Sequence, residues 1–193
     1  KLKMRRCTSA GEALPADIGR RWTDHFGVEI LDGLGSTEML HIFLSNQPGD
    51  VRYGTTGKPV PGYDIELRGE DGRPVGDGII GDLYIRGPSS ALMYWASHQR
   101  TRATFQGEWT KSGDKYTVDA DGYYTYCGRS DDKLKVGGVY VSPFEVEAAL
   151  AHVARAVEGG RGPVALILPD GVARTAVLDA PAGVDAREFA RYR

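Results

Sequence analysis

Apolar residues recur along this chain first at helical and then at strand spacing. Ile18, Trp22 and Phe26 follow one another four positions apart, which predicts one face of a helix. Pro15 suits the first turn of that helix, where a missing amide hydrogen costs nothing, and Gly27 suits the position just past its end. A short strand over 4–10 enters a Gly11-Glu12 turn ahead of the helix, and a short buried strand over 28–31 follows it. That β-α-β unit ends in Asp32-Gly33-Leu34-Gly35, read as a glycine loop at a strand's carboxyl end, where open α/β sheets commonly place ligands.

Over 51–86 the period falls to two. Tyr63, Ile65 and Leu67 alternate with polar residues, Asp71-Gly72 is a turn, and 82–86 (DLYIR) is a second strand, so a small β-barrel or curved sheet is expected. A helix over 97–105 and an aromatic-rich strand over 123–127 complete this part. Residues 128–132 are compact, polar and turn-forming, and they divide a larger domain, 1–129, from a smaller one, 130–193. In the smaller domain a hairpin over 133–141 turns at Gly137-Gly138. Ser142 then caps a helix that has Pro143 in its first position and Glu145 closing a capping box. Phe144, Val146, Ala149 and Leu150 supply its apolar stripe, and a strand over 164–168 and a short helix over 185–193 follow a Gly/Arg/Pro loop. The fold class is mixed α/β, a βαβ sheet unit plus a small β-barrel, followed by the start of a small α+β domain.

Composition narrows the chemistry. With 41% hydrophobic and 26% charged residues in 193, the chain has the makeup of an ordinary globular protein. A net charge of -2 offers no basic field for nucleic acid or anionic lipid, so any phosphate chemistry rests on a few placed groups. The two cysteines, Cys7 and Cys127, have no metal-ligand spacing and fit a reduced, cytoplasmic setting. No apolar run nears the roughly 20 residues that span a bilayer, and 1–11 lacks the apolar core of a signal peptide. Lys1 in place of Met is expected of a segment of a longer protein.

Two local patterns carry possible chemistry. In 32–38 (DGLGSTE) glycines admit close backbone approach, and a hydroxyl beside a carboxylate can serve a phosphate and its Mg²⁺ together. The same residues also read as a glycine turn capping a helix, with Ser36 as cap and Glu38 in the first turn. Ser112-Gly113-Asp114 and, further on, 126–132 (YCGRSDD) pair an aspartate able to accept two vicinal hydroxyls with an arginine able to fork onto a phosphate or ribose oxygen. Taken singly, Asp114 reads as a turn residue, Arg129 as a surface ion-pair partner, His41 as a surface residue early in a helix, and Lys135 as a solvated strand lysine.

The order of these elements, from the glycine turn through the Thr-Glu loop, the β-rich insert, Gly-Asp and Gly-Arg-x-Asp-Asp to the Gly-Gly hairpin, resembles the adenylate-forming superfamily of acyl- and aryl-CoA ligases, luciferases and peptide-synthetase adenylation domains. The resemblance runs from about Cys7 to His152, and 35–43 (GSTEMLHIF) with 135–147 (KVGGVYVSPFEVE) look most like benzoate-type aryl-CoA ligases. It implies that ATP and a small aromatic carboxylate form an acyl-adenylate, from which coenzyme A displaces AMP. By similarity Gly11, Glu12 and Ala13 lie against adenine with Asp32, Gly33 and Leu34. Relatives often carry an aromatic residue where Leu34 stands. Thr37 would touch the α-phosphate, Glu38 would hold Mg²⁺, Asp114 would bind the ribose hydroxyls, and Arg129 would lie beside it.

Ala10, Gly35, His41 and Ile42 would line the aryl pocket, where small residues leave room for a flat ring. Asp131 matches a hinge at which the small domain swings between half-reactions. Lys135, Gly137 and Gly138 would then reach the thioester-forming site, Gly137-Gly138 standing where relatives usually have Ser-Gly. A dimer of a longer parent is compatible with the resemblance, which leaves oligomeric state open.

Two expected parts of such an enzyme are not in the sequence. A Ser/Thr/Gly-rich phosphate loop ending in lysine would precede the region of Cys7, and a late catalytic lysine would follow Lys135, after which no lysine occurs. The bias beyond Val153 suits a shifted reading frame or a divergent end. The isolated chain is therefore expected to retain ribose, Mg²⁺ and aryl contacts without turnover. A non-catalytic nucleotide- or acyl-binding remnant, and a ligase with a carrier-protein acceptor, are the alternatives.

Overall fold

The computed structural model describes residues 3–130, the strands Leu134–Val136 and Val139–Val141, and the helical positions Val146 and Leu150. Chain contacts divide the protein into Lys1–Asp132 and Lys133–Arg193.

The first unit opens with β1 (Cys7–Ser9), α1 (Ala16–Phe26) and β2 (Ile30–Gly35), with β1 parallel to β2 and Ser9 opposite Asp32. This is the expected β-α-β unit. Pro15 sits at the N-cap, one position before the helix, because its ring fixes φ at -60° while ψ stays extended at 133°. Gly27 closes α1 in the left-handed region (φ 67°), and its N–H returns to the Thr23 carbonyl oxygen at 2.8 Å.

The apolar stripe of α1 does not enter the described core. Ile18 and Phe26 are 44% and 49% exposed, and Trp22 packs on Phe26 at 4.3 Å between ring centroids. The helix docks instead through buried Gly19, where a Cβ would lie 2.3 Å from the Tyr53 ring. The Tyr53 hydroxyl pairs with Thr23 Oγ1 at 2.6 Å and accepts the Ile30 N–H at 3.0 Å. Side-chain size and two hydrogen bonds, rather than hydrophobic spacing, set how the helix is rotated.

The glycine loop expected over 32–35 is strand. β2 runs to Gly35 and pairs antiparallel with β3 (Ile42–Ser45), with a bulge between Leu34 and Gly35, and β4 (Lys58–Pro59) adds an edge. A Cβ at Gly35 would meet the His41 carbonyl oxygen at 2.7 Å, so the glycine serves close strand approach.

A second, antiparallel sheet contains β5 (Asp64–Arg68), β6 (Gly81–Arg86), β7 (Phe105–Gln106), β8 (Trp109–Val118) and β9 (Tyr124–Arg129), with α2 (His98–Thr104) leading into β7. Its order is β5-β6-β8-β7, with β9 also on β8, so it forms part of a barrel without closing. The ten-residue β8 replaces the turn expected at Ser112-Gly113-Asp114. Phe43 and Leu44 from the first sheet, with Met39 from the turn between β2 and β3, pack with Leu67, Leu83, Ile85, Tyr116 and Tyr124 from the second. One core therefore spans both sheets.

In the second unit β10 (Leu134–Val136) and β11 (Val139–Val141) form the expected antiparallel hairpin. Its Gly137-Gly138 turn, the helix start at Ser142, and the expected strand and helix over 164–168 and 185–193 lie outside the described residues. Among the described residues no helix is long and apolar enough to cross a membrane.

Candidate functional site

After β2 the chain turns through 36–40 and re-enters a strand at Ile42, so the helix considered for Ser36 and Glu38, and for His41, is not formed. The Ser36 Oγ accepts the Met39 N–H at 3.3 Å, and Leu40 takes a positive φ of 54° to complete the turn. Met39 is fully buried and pins the turn to the core, which leaves Thr37 exposed and Glu38 half-buried. From the far side, the Tyr94 hydroxyl donates to Glu38 Oε1, and the Ala91 N–H donates to the Glu38 carbonyl at 2.7 Å. Burial pushes the Glu38 carboxyl up. Hydrogen bonds from Tyr94, its own N–H and Ser36, with the charge of Arg100, outweigh burial and hold it below the usual carboxylate range.

Asp32 is 4% exposed in β2 and faces the loop after β1, with Oδ2 accepting the Leu14 N–H at 3.4 Å. Burial raises its pKa against the opposing hydrogen bonds of Leu14, Ser9 and Gly33, and its Oδ1 is buried with no hydrogen-bond partner. Gly11, Glu12 and Ala13 are exposed in that loop, with Gly11 at φ 100°. The structure thus brings 11–13 beside Asp32, whereas Leu34 packs against the core. Gly35 lies under the His41 backbone, Ile42 is half-buried, and Ala10 and His41 are exposed. The His41 ring stacks on Tyr63 at 5.9 Å and 5°.

Asp114 and Arg129 stand directly opposite one another on β8 and β9, with Arg129 Nη1 3.2 Å from Asp114 Oδ1. The Asp114 side chain is 14% exposed and that of Arg129 43%. Gly113, at φ 84°, precedes the register shift after Asp114, and a Cβ there would meet the Arg129 guanidinium at 3.1 Å. The turn reading of Asp114 therefore needs correction, since it belongs to a bulged strand, whereas Arg129 is the surface ion-pair partner expected, with the other candidate residue as its partner.

Next to this pair, Ser130 donates its N–H to the Gly113 carbonyl at 2.8 Å and its hydroxyl to Asp82 Oδ1 at 2.7 Å. Asp82 also meets Lys111 at 2.7 Å and Lys115 at 3.0 Å. Burial raises the Asp82 carboxyl, but the hydrogen bonds of Lys111, Ser130 and Lys115 bring it from the usual 3.8 down to about 2. That depression corresponds to about 2 kcal/mol of stability, fully present above pH 3.8 and lost as pH falls through about 2. Asp82→Asn is accordingly expected to cost about 2 kcal/mol at pH 7 in urea unfolding. A cost that does not shrink between pH 4 and pH 2 would rule out the ionic account.

The Thr37-Glu38 turn and the Asp114–Arg129 pair are connected through β8. Ser90 meets Thr110 Oγ1 of β8 at 2.8 Å, in the segment that covers Glu38, and Asp114 lies four positions further along that strand. Lys135 is in β10 opposite Tyr140, while Asp131, Gly137 and Gly138 lie outside the described residues.

Tyr94, Ser130 and Asp82 were not foreseen as site residues. A charged residue heading the apolar strand DLYIR was a signal for Asp82, but nothing local marked Tyr94, which reaches Glu38 across 56 positions. Among the described residues no cluster of three or more His, Cys, Asp or Glu side chains could cage a metal ion. A single ionised carboxylate beside hydroxyls does fit Mg²⁺, which keeps several waters and takes its other oxygens from substrate phosphates.

Residues 2–95 match the family described as AMP-binding enzyme. The chain is 66% identical over 156 residues to a benzoate–CoA ligase of Thauera aromatica, an alignment covering 80% of this chain and 30% of that protein. A crystal structure of a benzoate CoA ligase from Burkholderia xenovorans LB400 is 65% identical, with a TM-score of 0.71 over 77% of this chain and 30% of that one. The O-succinylbenzoate coenzyme A synthetase of Bacillus subtilis, in complex with ATP and magnesium ion, is 25% identical, with a TM-score of 0.68 over 76% of this chain and 31% of that one. The chain therefore spans about 30% of the length of these relatives. With its β-α-β unit, Thr-Glu turn and Asp114–Arg129 strand pair, it belongs to the AMP-binding, adenylate-forming enzymes and resembles their benzoate–CoA ligases.

Proposed function

We propose that this chain is the nucleotide- and aryl-binding segment of an ATP-dependent aryl-CoA ligase, which joins a benzoate-type carboxylate to AMP with release of pyrophosphate and then passes the acyl group to coenzyme A. The observation that carries this reading is the 66% identity across 156 residues, 80% of this chain.

Each group has a task under this reading. Asp114, nearly buried and paired with Arg129, offers carboxylate oxygens to vicinal ribose hydroxyls, and Arg129 is within reach of a neighbouring phosphate or ribose oxygen. The exposed Thr37 hydroxyl takes the α-phosphate. Glu38, kept ionised, would hold Mg²⁺, which when bound neutralises charge developing on the phosphates. The buried Asp32, with 11–13 beside it, offers hydrogen-bond acceptors toward the base. Ala10, Gly35, His41 and Ile42 border the ring-binding side, where Gly35 has no side chain to obstruct a flat ring. Asp131 as hinge, with Lys135 and Gly137-Gly138 at the thioester-forming site, completes the assignment.

The test is a substrate panel on a ligase that carries this segment at the full length of its relatives. ATP–pyrophosphate exchange is expected with benzoate or hydroxybenzoates, at kcat/KM at least tenfold above fatty acids and amino acids, since a missing or extra group in an apolar pocket is worth roughly 10- to 200-fold. Clear preference for a fatty acid or an amino acid would refute the assignment.

A further inference from the structure

We propose that Tyr94 is a positioning residue for Glu38, and that α2 together with the segment leading into it holds Tyr94 in place for that purpose. The proposal rests on Glu38 being the metal-holding carboxylate and goes on to name what sets its geometry and charge.

The Tyr94 hydroxyl donates to Glu38 Oε1, so one carboxylate oxygen is engaged from within the protein. Tyr94 is itself fixed on several sides. Its N–H donates to Thr101 Oγ1 at 3.0 Å, its ring packs against Phe105 at 5.5 Å, and the Arg100 guanidinium sits 4.2 Å above it. Thr101 and Arg100 both belong to α2, whose first backbone bond runs from the Thr101 N–H to the Ser97 carbonyl at 2.9 Å. The main chain before Tyr94 is fastened to the same turn: Ala91 donates to the Glu38 carbonyl, and the Ser89 hydroxyl donates to the Met39 carbonyl.

The electrostatics agree with this geometry. Besides burial, Tyr94 is the largest influence on Glu38, and Arg100 adds its charge. A hydroxyl that must bond the ionised carboxylate stays protonated, and the Tyr94 pKa is raised accordingly, by burial first and then by Glu38. A ligating carboxylate whose other oxygen is hydrogen-bonded presents a fixed direction to a cation, and loss of such a support commonly weakens metal binding 10- to 100-fold. The aromatic Tyr94 is thus accounted for by what its hydroxyl does, even though Trp95 beside it is 94% exposed.

The experiment uses the 193-residue chain, with Mn²⁺·ATP as probe and two readouts that do not require turnover. Paramagnetic relaxation measures binding of the probe, and the electron paramagnetic resonance line shape of the bound Mn²⁺ reports how its ligands are arranged. Tyr94→Phe keeps the ring and its packing while deleting the hydroxyl. It is expected to weaken Mn²⁺·ATP binding on the order of tenfold and to change the line shape of the Mn²⁺ that remains bound. Arg100→Gln, which leaves the hydroxyl in place, is expected to change both by less. Glu38→Gln serves as reference and is expected to abolish the metal-dependent part of binding. If Glu38→Gln binds Mn²⁺·ATP like the parent, the metal-holding reading fails and the proposal with it. If Glu38→Gln loses binding while Tyr94→Phe matches the parent in both readouts, the reading stands and the positioning role of Tyr94 is overturned.

Discussion

Replacing Glu38 with Gln in a ligase of full relative length is expected to slow adenylation by 10²- to 10³-fold, on the order of 3–4 kcal/mol of lost transition-state stabilisation. Gln preserves the shape of the side chain and can still accept from Tyr94, so the turn held by Met39 and Ser36 is retained. What disappears is one negative charge, ionised in the parent because the hydrogen bonds and Arg100 outweigh burial. The loss belongs to phosphoryl chemistry and not to the acyl group. Thioester formation from supplied aryl-adenylate is therefore expected to stay within about threefold of the parent, well under 1.4 kcal/mol. Equal loss in both half-reactions, or adenylation within threefold of the parent, would refute the role given to Glu38.

The second large effect concerns stability. Phe43 is completely buried, and it lies in the stretch of β3 that joins the two sheets through Leu44, Leu67, Leu83 and Ile85. Truncation to Ala leaves a cavity between two sheets that are fastened elsewhere, by Thr56 N–H to Tyr124 O at 2.8 Å and Tyr124 N–H to Gly57 O at 2.9 Å. Those bonds restrain the sheets from closing over the gap. Phe43→Ala is therefore expected to cost about 3–5 kcal/mol, seen as a lower urea midpoint at unchanged slope. A cost under about 1 kcal/mol would mean that the two sheets do not share a continuous core.

Much of this was legible from the chain because local rules governed it. Period-two alternation placed β5 with Leu67 inward, a left-handed Gly27 ended α1, and Asp71-Gly72 turned where expected, with Gly72 N–H on the Gly69 carbonyl at 3.0 Å. The errors arose where a residue type serves two ends. Glycines at 33 and 35 were read as a loop, yet they let β2 run close to β3: a Cβ at 33 would lie 3.1 Å from the Leu44 carbonyl oxygen, and one at 35 would lie 2.7 Å from that of His41. Ser112-Gly113-Asp114 carries turn chemistry inside a strand because one positive-φ glycine makes a bulge there without ending the pairing with β9. The candidate site shows the same division. Glu38 and the Asp114–Arg129 pair were candidates by motif, whereas Tyr94 reaches Glu38, and Ser130 reaches Asp82 and the Gly113 carbonyl, through contacts that no short pattern contains.

The seat of Tyr53 over Gly19 carries a consequence for how this part of the chain can diverge. The ring occupies the volume that any side chain at position 19 would need, and its hydroxyl serves both α1 and the start of β2. Neither position can drift alone: a larger residue at 19 has to arrive with a smaller one at 53, and the smaller one forfeits the hydroxyl that Thr23 and Ile30 share. Divergence here proceeds as coupled double changes, which confines the two sites to a narrow corridor of viable pairs.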